Sequence, residues 1–175
     1  MVSQGAHSMV DRMIGASRLS IHIFEEVEAD TSATKQALLV VFLAALATGI
    51  GIGGLNGLLV GVPLAVAGWA IWAFIVYFIG TKILPEHETH ADWGQLARSL
   101  GFAQSPGVLK VFGVLPDGGI IFLVVSVWML VAMVIAVRQA LDYTSTKRAI
   151  CVVLLGFIPY LILMSYAYSI LGLGV

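Results

Sequence analysis

Metal-ligand chemistry in this chain is concentrated in one short polar loop, residues 86–92. His87 and His90 stand there among three carboxylates. Imidazole and carboxylate groups at this density can bind a transition metal, and histidine changes its charge near neutral pH. A connection between two membrane spans must itself be polar and exposed, and no further fixed ligand can be named elsewhere. We therefore expect no metal site, and we favour a solvated loop over a metal or pH sensor.

A second polar group interrupts an otherwise apolar stretch. Its members are Arg98, Gln104, Ser105, Pro106 and Lys110. Polar and charged side chains at membrane depth usually mark a function, so the group could line the hydrated path of a transporter or channel. The structural interpretation is that the two cations extend toward opposite headgroup layers, while the polar pair satisfies the carbonyl that the proline frees. We favour the structural interpretation.

No catalytic constellation is recognisable. Residues 49–54 read GIGIGG and match the GxGxxG pattern, but a dinucleotide site requires a strand before the pattern and a helix after it. The four histidines lie outside the apolar runs, which argues against haem or pigment ligation within the membrane. We expect no catalytic residue and no cofactor, and we do not expect an enzyme.

Composition indicates that lipid is the solvent for most of the chain. Hydrophobic residues make up 59% of its 175 residues and charged residues only 11%, whereas a soluble domain has roughly 45–50% and about 25%. The formal net charge of −1 provides no basic surface for nucleic acid. We therefore predict an all-α polytopic membrane protein that binds no nucleic acid.

Apolar runs define the predicted spans. A spanning helix needs about 20 mostly apolar residues. Four segments meet this requirement clearly, at about residues 36–55, 58–84, 118–141 and 149–172. The stretch 93–115 is weaker, and it is predicted to be either a broken span or a segment that dips into the membrane and returns.

Basic residues decide between these two topologies, because short cytoplasmic loops carry an excess of lysine and arginine. If the weak stretch crosses, eight of the nine basic residues lie on the cytoplasmic side, and only Lys110 lies toward the other side. If it returns, the bias falls to five against three. We therefore predict five crossings of the inner (cytoplasmic) membrane, with the N-terminus cytoplasmic and the C-terminus outside.

The region before the first span has a different character. Four apolar residues share one helical face, opposite Asp11, Arg12 and Arg18: Met9, Val10, Met13 and Ile14. Such a helix is suited to lie in the membrane interface. We predict a cytoplasmic or interfacial amphipathic region at residues 1–34, followed by a five-helix membrane domain at residues 35–175.

Glycine recurs every fourth residue at Gly49, Gly53, Gly57 and Gly61. Small residues on one helical face let two membrane helices approach closely. A turn at residues 56–57 would leave only Gly49 and Gly53 as a contact patch. That patch predicts helix packing within the chain or, as the alternative, self-association.

Several stretches resemble the Yip family of Ypt/Rab-interacting membrane proteins, especially its prokaryotic branch. Residues 96–109 read LARSLGFAQSPGVL, which is similar to the family's LLRALGFAxAPGLL stretch. Residues 128–141 and 145–150 resemble the helix and loop that follow it. Residues 24–30 and 36–39 resemble the family's entry into its first span.

The resemblance implies five spans and a cytosolic N-terminus. Eukaryotic members bind Rab-type GTPases and one another, but the short region before the first span argues against GTPase binding here. We therefore predict a non-catalytic protein that sits in the lipid bilayer and binds other membrane proteins or itself, as a membrane-organising factor or an accessory subunit. The alternative is a small transporter or channel that uses the broken third span.

Overall fold

The computed structural model describes residues 7–52, 58–87 and 89–171, and the fold is all-α. A π-helical turn (Ile79–Ile83) continues α4, and a 3₁₀ helix (Ser105–Val114) follows α5. The α-helices are, in chain order, α1 (Met9–Ser17), α2 (Ile21–Ala29), α3 (Ala33–Ile52), α4 (Leu58–Phe78), α5 (Trp93–Phe102), α6 (Gly118–Ala140) and α7 (Thr146–Ile170).

Four helices are long and apolar enough to cross a bilayer: α3, α4 with its π turn, α6 and α7. Their mean hydropathy lies between 1.9 and 3.0, yet only 22% to 39% of each apolar window is buried against the rest of the chain. The remaining apolar side chains face outward, where lipid rather than water must cover them. The chain is therefore a polytopic membrane protein, as its composition predicts.

The weak stretch forms two shorter pieces, α5 and the 3₁₀ helix, that run parallel to α3. A Cβ atom placed on Gly101 would lie 2.8 Å from the Cβ of Ala37, and one on Gly107 would lie 3.1 Å from the Cβ of Ala44. Farther along, the carbonyl of Lys110 lies against Gly51. The contacts on α3 span fourteen residues, or about 21 Å at 1.5 Å per residue. The segment thus follows α3 along most of its length instead of turning back.

Antiparallel packing joins α4 to α7. Trp72 lies against Gly156, and Gly68, about one turn earlier on α4, lies against Tyr160. Since residue numbers fall on one helix as they rise on the other, these two spans run in opposite directions. We call the end of the bundle where α3 begins the near end, and the opposite end the far end.

Helices α1 and α2 form an N-terminal cap at the near end. Helix α2 packs against α5 and α6, and its buried side chains are those of Ile23, Phe24 and Val27. Trp128 of α6 donates from Nε1 to the carbonyl of Ser17 at 2.8 Å, which fixes the end of α1. The apolar face of α2 is therefore buried against the bundle.

Arg12 fastens this cap. Its side chain is only 1% exposed, although the sequence pattern places it on the polar side of α1. The guanidinium donates to Glu26 at 2.9 Å, to Asp30 at 2.6 Å and to Gln36, in the first turn of α3, at 3.0 Å. Planar guanidinium groups can satisfy several acceptors at once, so one side chain connects α1, α2 and α3.

We expect Arg12→Met to loosen the cap, because it leaves Asp30 without its charged donor and removes the guanidinium from Glu26, which keeps only His7. Charge-assisted hydrogen bonds and partly buried ion pairs of this kind contribute about 2–4 kcal/mol. Hydrogen exchange followed by mass spectrometry should show lost protection in α1 and α2, with the spans unaffected. Arg18→Met removes an exposed cation of the same region and should leave exchange unchanged. Equal protection in the Arg12 variant would contradict the assigned role.

Candidate functional site

A cavity of about 760 Å³ lies between α3, α4, the 3₁₀ helix, α6 and α7. Its volume is in the range of about 300–1,000 Å³ that is typical of small-molecule pockets. Most of the lining side chains are apolar. The polar lining residues are Thr48, Gln104, Lys110, Ser126, Tyr160 and Tyr168.

Two members of the predicted polar group line this cavity. They are Gln104, the residue before the 3₁₀ helix, and Lys110 within it. The ammonium of Lys110 lies 5.5 Å from the centre of the Phe122 ring, a cation–π distance. A cation and an amide therefore share the wall of an otherwise apolar space.

Arg98 lies elsewhere and is buried, instead of extending outward as expected. Its side chain is 5% exposed, and its Nε donates to the carbonyls of Val27 at 3.0 Å and Glu28 at 3.1 Å. These carbonyls belong to the last turn of α2, where no helical donor remains for them. Arg98 thus closes the end of α2 and ties the cap to α5.

Ser105 also has a structural role. Its hydroxyl donates to the carbonyl of Phe102 at 2.6 Å. That carbonyl lies four residues before Pro106, so it is the acceptor that loses its helical donor to the proline. The predicted polar group therefore divides, with Gln104 and Lys110 at the cavity and the other three in backbone and cap structure.

Aromatic side chains close the cavity toward the near end. Trp69 donates from Nε1 to the carbonyl of Ala97 at 3.1 Å. Trp72 packs against Phe157 and Tyr160, with ring centres 4.7 Å and 5.2 Å apart. Its Nε1 has no hydrogen-bond acceptor among the residues that the structure describes.

No sequence pattern singled out Thr48, Ser126 or Tyr160, which also line the cavity. Hydroxyl groups in apolar spans are the available signal, but they often bond to their own helix. Thr48 does so, donating to the carbonyl of Ala44 at 2.8 Å. Only the packing of several helices reveals which of these residues meet at one cavity.

The structure shows the contact of one of the two glycines in the predicted patch, Gly49. A Cβ atom placed on Gly49 would lie 2.3 Å from a methyl carbon of Leu58, so its close contact is with the next span of the same chain. Gly53 and the predicted turn at residues 56–57 lie outside the described residues. Gly51, which spacing did not single out, makes the closer contact with the 3₁₀ helix.

The loop of His87 and His90 gathers no metal-ligand set within the described residues, which omit only residue 88 of this loop. Glu86 instead accepts hydrogen bonds from the backbone N–H and the hydroxyl of Thr144, both at 2.8 Å. These bonds lower the pKa of Glu86. That carboxylate joins the loop to the start of α7.

Glu28 is a titratable group of the cap whose pKa lies well above its ordinary value. Burial raises its pKa from 4.5 to about 7, and the negative charge of Asp142 acts in the same direction. Gln95 of α5 donates to its carboxylate at 3.2 Å. The charge of Glu28 therefore changes near neutral pH.

The comparisons with known proteins identify one family. The Yip1 domain model matches residues 21–166, from the start of α2 into α7. No curated protein and no solved structure matches the chain.

We expect the stability of the cap to fall as the pH rises. Because the folded pKa of Glu28 lies above its ordinary 4.5, its proton stabilises the folded state below pH 4.5, and this contribution is lost as the pH passes about 7. Thermal unfolding in detergent should occur at higher temperature at pH 6 than at pH 8. Glu28→Gln should reduce that difference, whereas Glu25→Gln, which removes one of the smaller charges that raise the pKa of Glu28, should preserve most of it. A difference unchanged by Glu28→Gln would exclude this group as its source.

Proposed function

The chain belongs to the Yip1 domain family, and on this premise we propose that it acts without catalysis, by binding other membrane proteins or a second copy of itself. It would serve as a membrane-organising factor or as an accessory subunit of a larger complex. Within the described residues, no three histidine, cysteine or acidic side chains form a metal-ligand group.

The observation that carries the proposal is an apolar pair on the outer surface of the cap. Val10 and Ile14 are 57% and 45% exposed, and they lie one turn apart on α1, outside the apolar spans. Arg12, on the inner side of the same helix, holds α1 in place. A partner that binds a helix already fixed loses less conformational entropy on association.

Transport is the weaker candidate. Gln104 and Lys110 do line the cavity, but Arg98 and Ser105 are engaged with backbone carbonyls. A conduction path through the bundle would need further polar groups toward the near end. Trp69 and Trp72 lie there instead.

We further propose that the protein lies in the inner (cytoplasmic) membrane with the near end in the cytoplasm. Lys82, Lys147 and Arg148 support this orientation, since they lie in the elements that meet at that end, where Arg148 donates to the carbonyl of Pro85 at 2.6 Å. Lysine and arginine are enriched in cytoplasmic loops. Five crossings then put the N-terminus inside and the C-terminus outside.

The association proposal predicts that mild-detergent purification recovers the wild type in a stoichiometric assembly. Ile14→Glu should reduce the assembled fraction at least about tenfold, since it places a charge in an apolar contact. Thr31→Glu adds the same charge at an exposed position near the cap and should have no effect. Light scattering after size exclusion measures both. A wild-type monomer that carries solute flux, lost in Gln104→Leu, would overturn the proposal in favour of transport.

The proposed topology predicts which positions a membrane-impermeant maleimide reaches from each side of sealed vesicles. The chain has one cysteine, so Cys151→Ser provides a background without thiols. In that background, His22→Cys and Lys147→Cys should react from the same side, and Ser169→Cys only from the other. All three positions are exposed. Labelling of all three from one side would refute five crossings.

A further inference from the structure

Among the residues that the structure describes, the cavity is long and opens at the far end. Leu58 and Trp72 both line it, and they lie fourteen positions apart on α4, or about 21 Å. Two lining residues of the far end, Ile52 and Tyr168, are 74% and 41% exposed. Trp72, at the other end, is 4% exposed. A long, narrow space open toward one leaflet matches the shape of an acyl chain, since one leaflet of hydrocarbon is about 15 Å thick.

The wall of the cavity favours hydrocarbon over water. A volume of about 760 Å³ corresponds to about 25 water molecules in the liquid, and each buried water requires two to four polar partners. Six polar side chains line the space. The hydroxyl of one of them, Thr48, already donates to its own helix. Waters against this wall would find few partners on it and would bond mainly to one another, so the wall is better suited to hydrocarbon.

Lys110 adds a positive charge at the open end. Its backbone carbonyl lies against Gly51, one residue before the end of α3. Among the residues that the structure describes, no carboxylate forms an ion pair with its ammonium, and the Phe122 ring is the aromatic partner. An ammonium at the margin of a lipid-facing cavity is most favourable when an anion neutralises it.

From these features we propose that the cavity binds one anionic phospholipid, with an acyl chain along the apolar wall and the phosphate at Lys110. The site is independent of the cap surface and goes beyond the association proposed above. Its specificity divides into two parts. Apolar contact within the cavity retains the chain, and the charge of Lys110 selects the headgroup.

Two glycines provide a matched pair of variants for the apolar part. A Cβ atom placed on Gly61, which lines the cavity, meets nothing within 4 Å, and the same holds for Gly119 in the first turn of α6. Neither position resists a larger side chain. Gly61→Phe should therefore narrow the cavity without disturbing the bundle, and Gly119→Phe adds the same side chain outside it.

The test is native mass spectrometry of the full chain, delipidated in mild detergent and titrated with phosphatidylglycerol or phosphatidylcholine. The wild type should retain one phosphatidylglycerol with about tenfold preference over phosphatidylcholine, a difference of about 1.4 kcal/mol. Gly61→Phe should bind both lipids more weakly, and Gly119→Phe should bind as the wild type does. Lys110→Met should keep a lipid but lose the preference, while Lys147→Met, at an exposed lysine of α7, should keep it.

Three results would overturn the site. They are undiminished lipid binding by Gly61→Phe, unchanged headgroup preference in Lys110→Met, and a wild type that retains neither lipid. If Gly61→Phe fails to fold, Lys110→Met still tests the proposal. Because none of these variants changes the cap, assembly measured on the same samples shows whether the association proposal fails separately.

Discussion

Backbone contact between the 3₁₀ helix and α3 is the constraint on which the rest of the bundle depends. At Gly51 a Cβ atom would lie 2.0 Å from the carbonyl oxygen of Lys110, so no larger residue fits there without displacing one of the two segments. A Cβ atom placed on Gly113 would lie 2.9 Å from the carbonyl oxygen of Gly51, so the same two segments are also close there. Lipid offers no hydrophobic drive for helices to associate, and close approach of this kind takes its place.

Two buried arginines hold the helices together at the near end, as the close glycine contacts do at the far end. Arg12 joins α1 to α2 and α3, and Arg98 joins α5 to the last turn of α2. A guanidinium group remains charged and presents donors in several directions, so each can replace water for acceptors that folding has buried. The cap is consequently part of the bundle. This is why the outward pair of Val10 and Ile14 has a fixed position relative to the spans.

The sequence predicted the four long apolar spans well, because hydropathy over about 20 residues reflects contact with lipid and does not depend on which helices are neighbours. It could not predict the roles of Arg12 and Arg98, since a polar residue on an amphipathic pattern is equally compatible with solvent and with a buried acceptor. Glycine at every fourth residue predicted a contact at Gly49, whereas the tighter contact of α3 is at Gly51. That contact depends on where the 3₁₀ helix crosses α3, which no local pattern specifies.

The cavity depends on the break between α5 and the 3₁₀ helix. In an α-helix, successive residues turn by 100°, so Gln104 and Lys110 would lie 240° apart on different faces. In a 3₁₀ helix, with three residues per turn, positions six apart lie on one face. Pro106 in the first turn removes a donor that a continued α-helix would need. The tighter helix then aligns Gln104 and Lys110 with Gly107 and Gly113, so glycines that bring the backbone close to its neighbours alternate with polar side chains. A continuous α-helix through this stretch would lack that alignment, and the amide and the cation would no longer face one cavity.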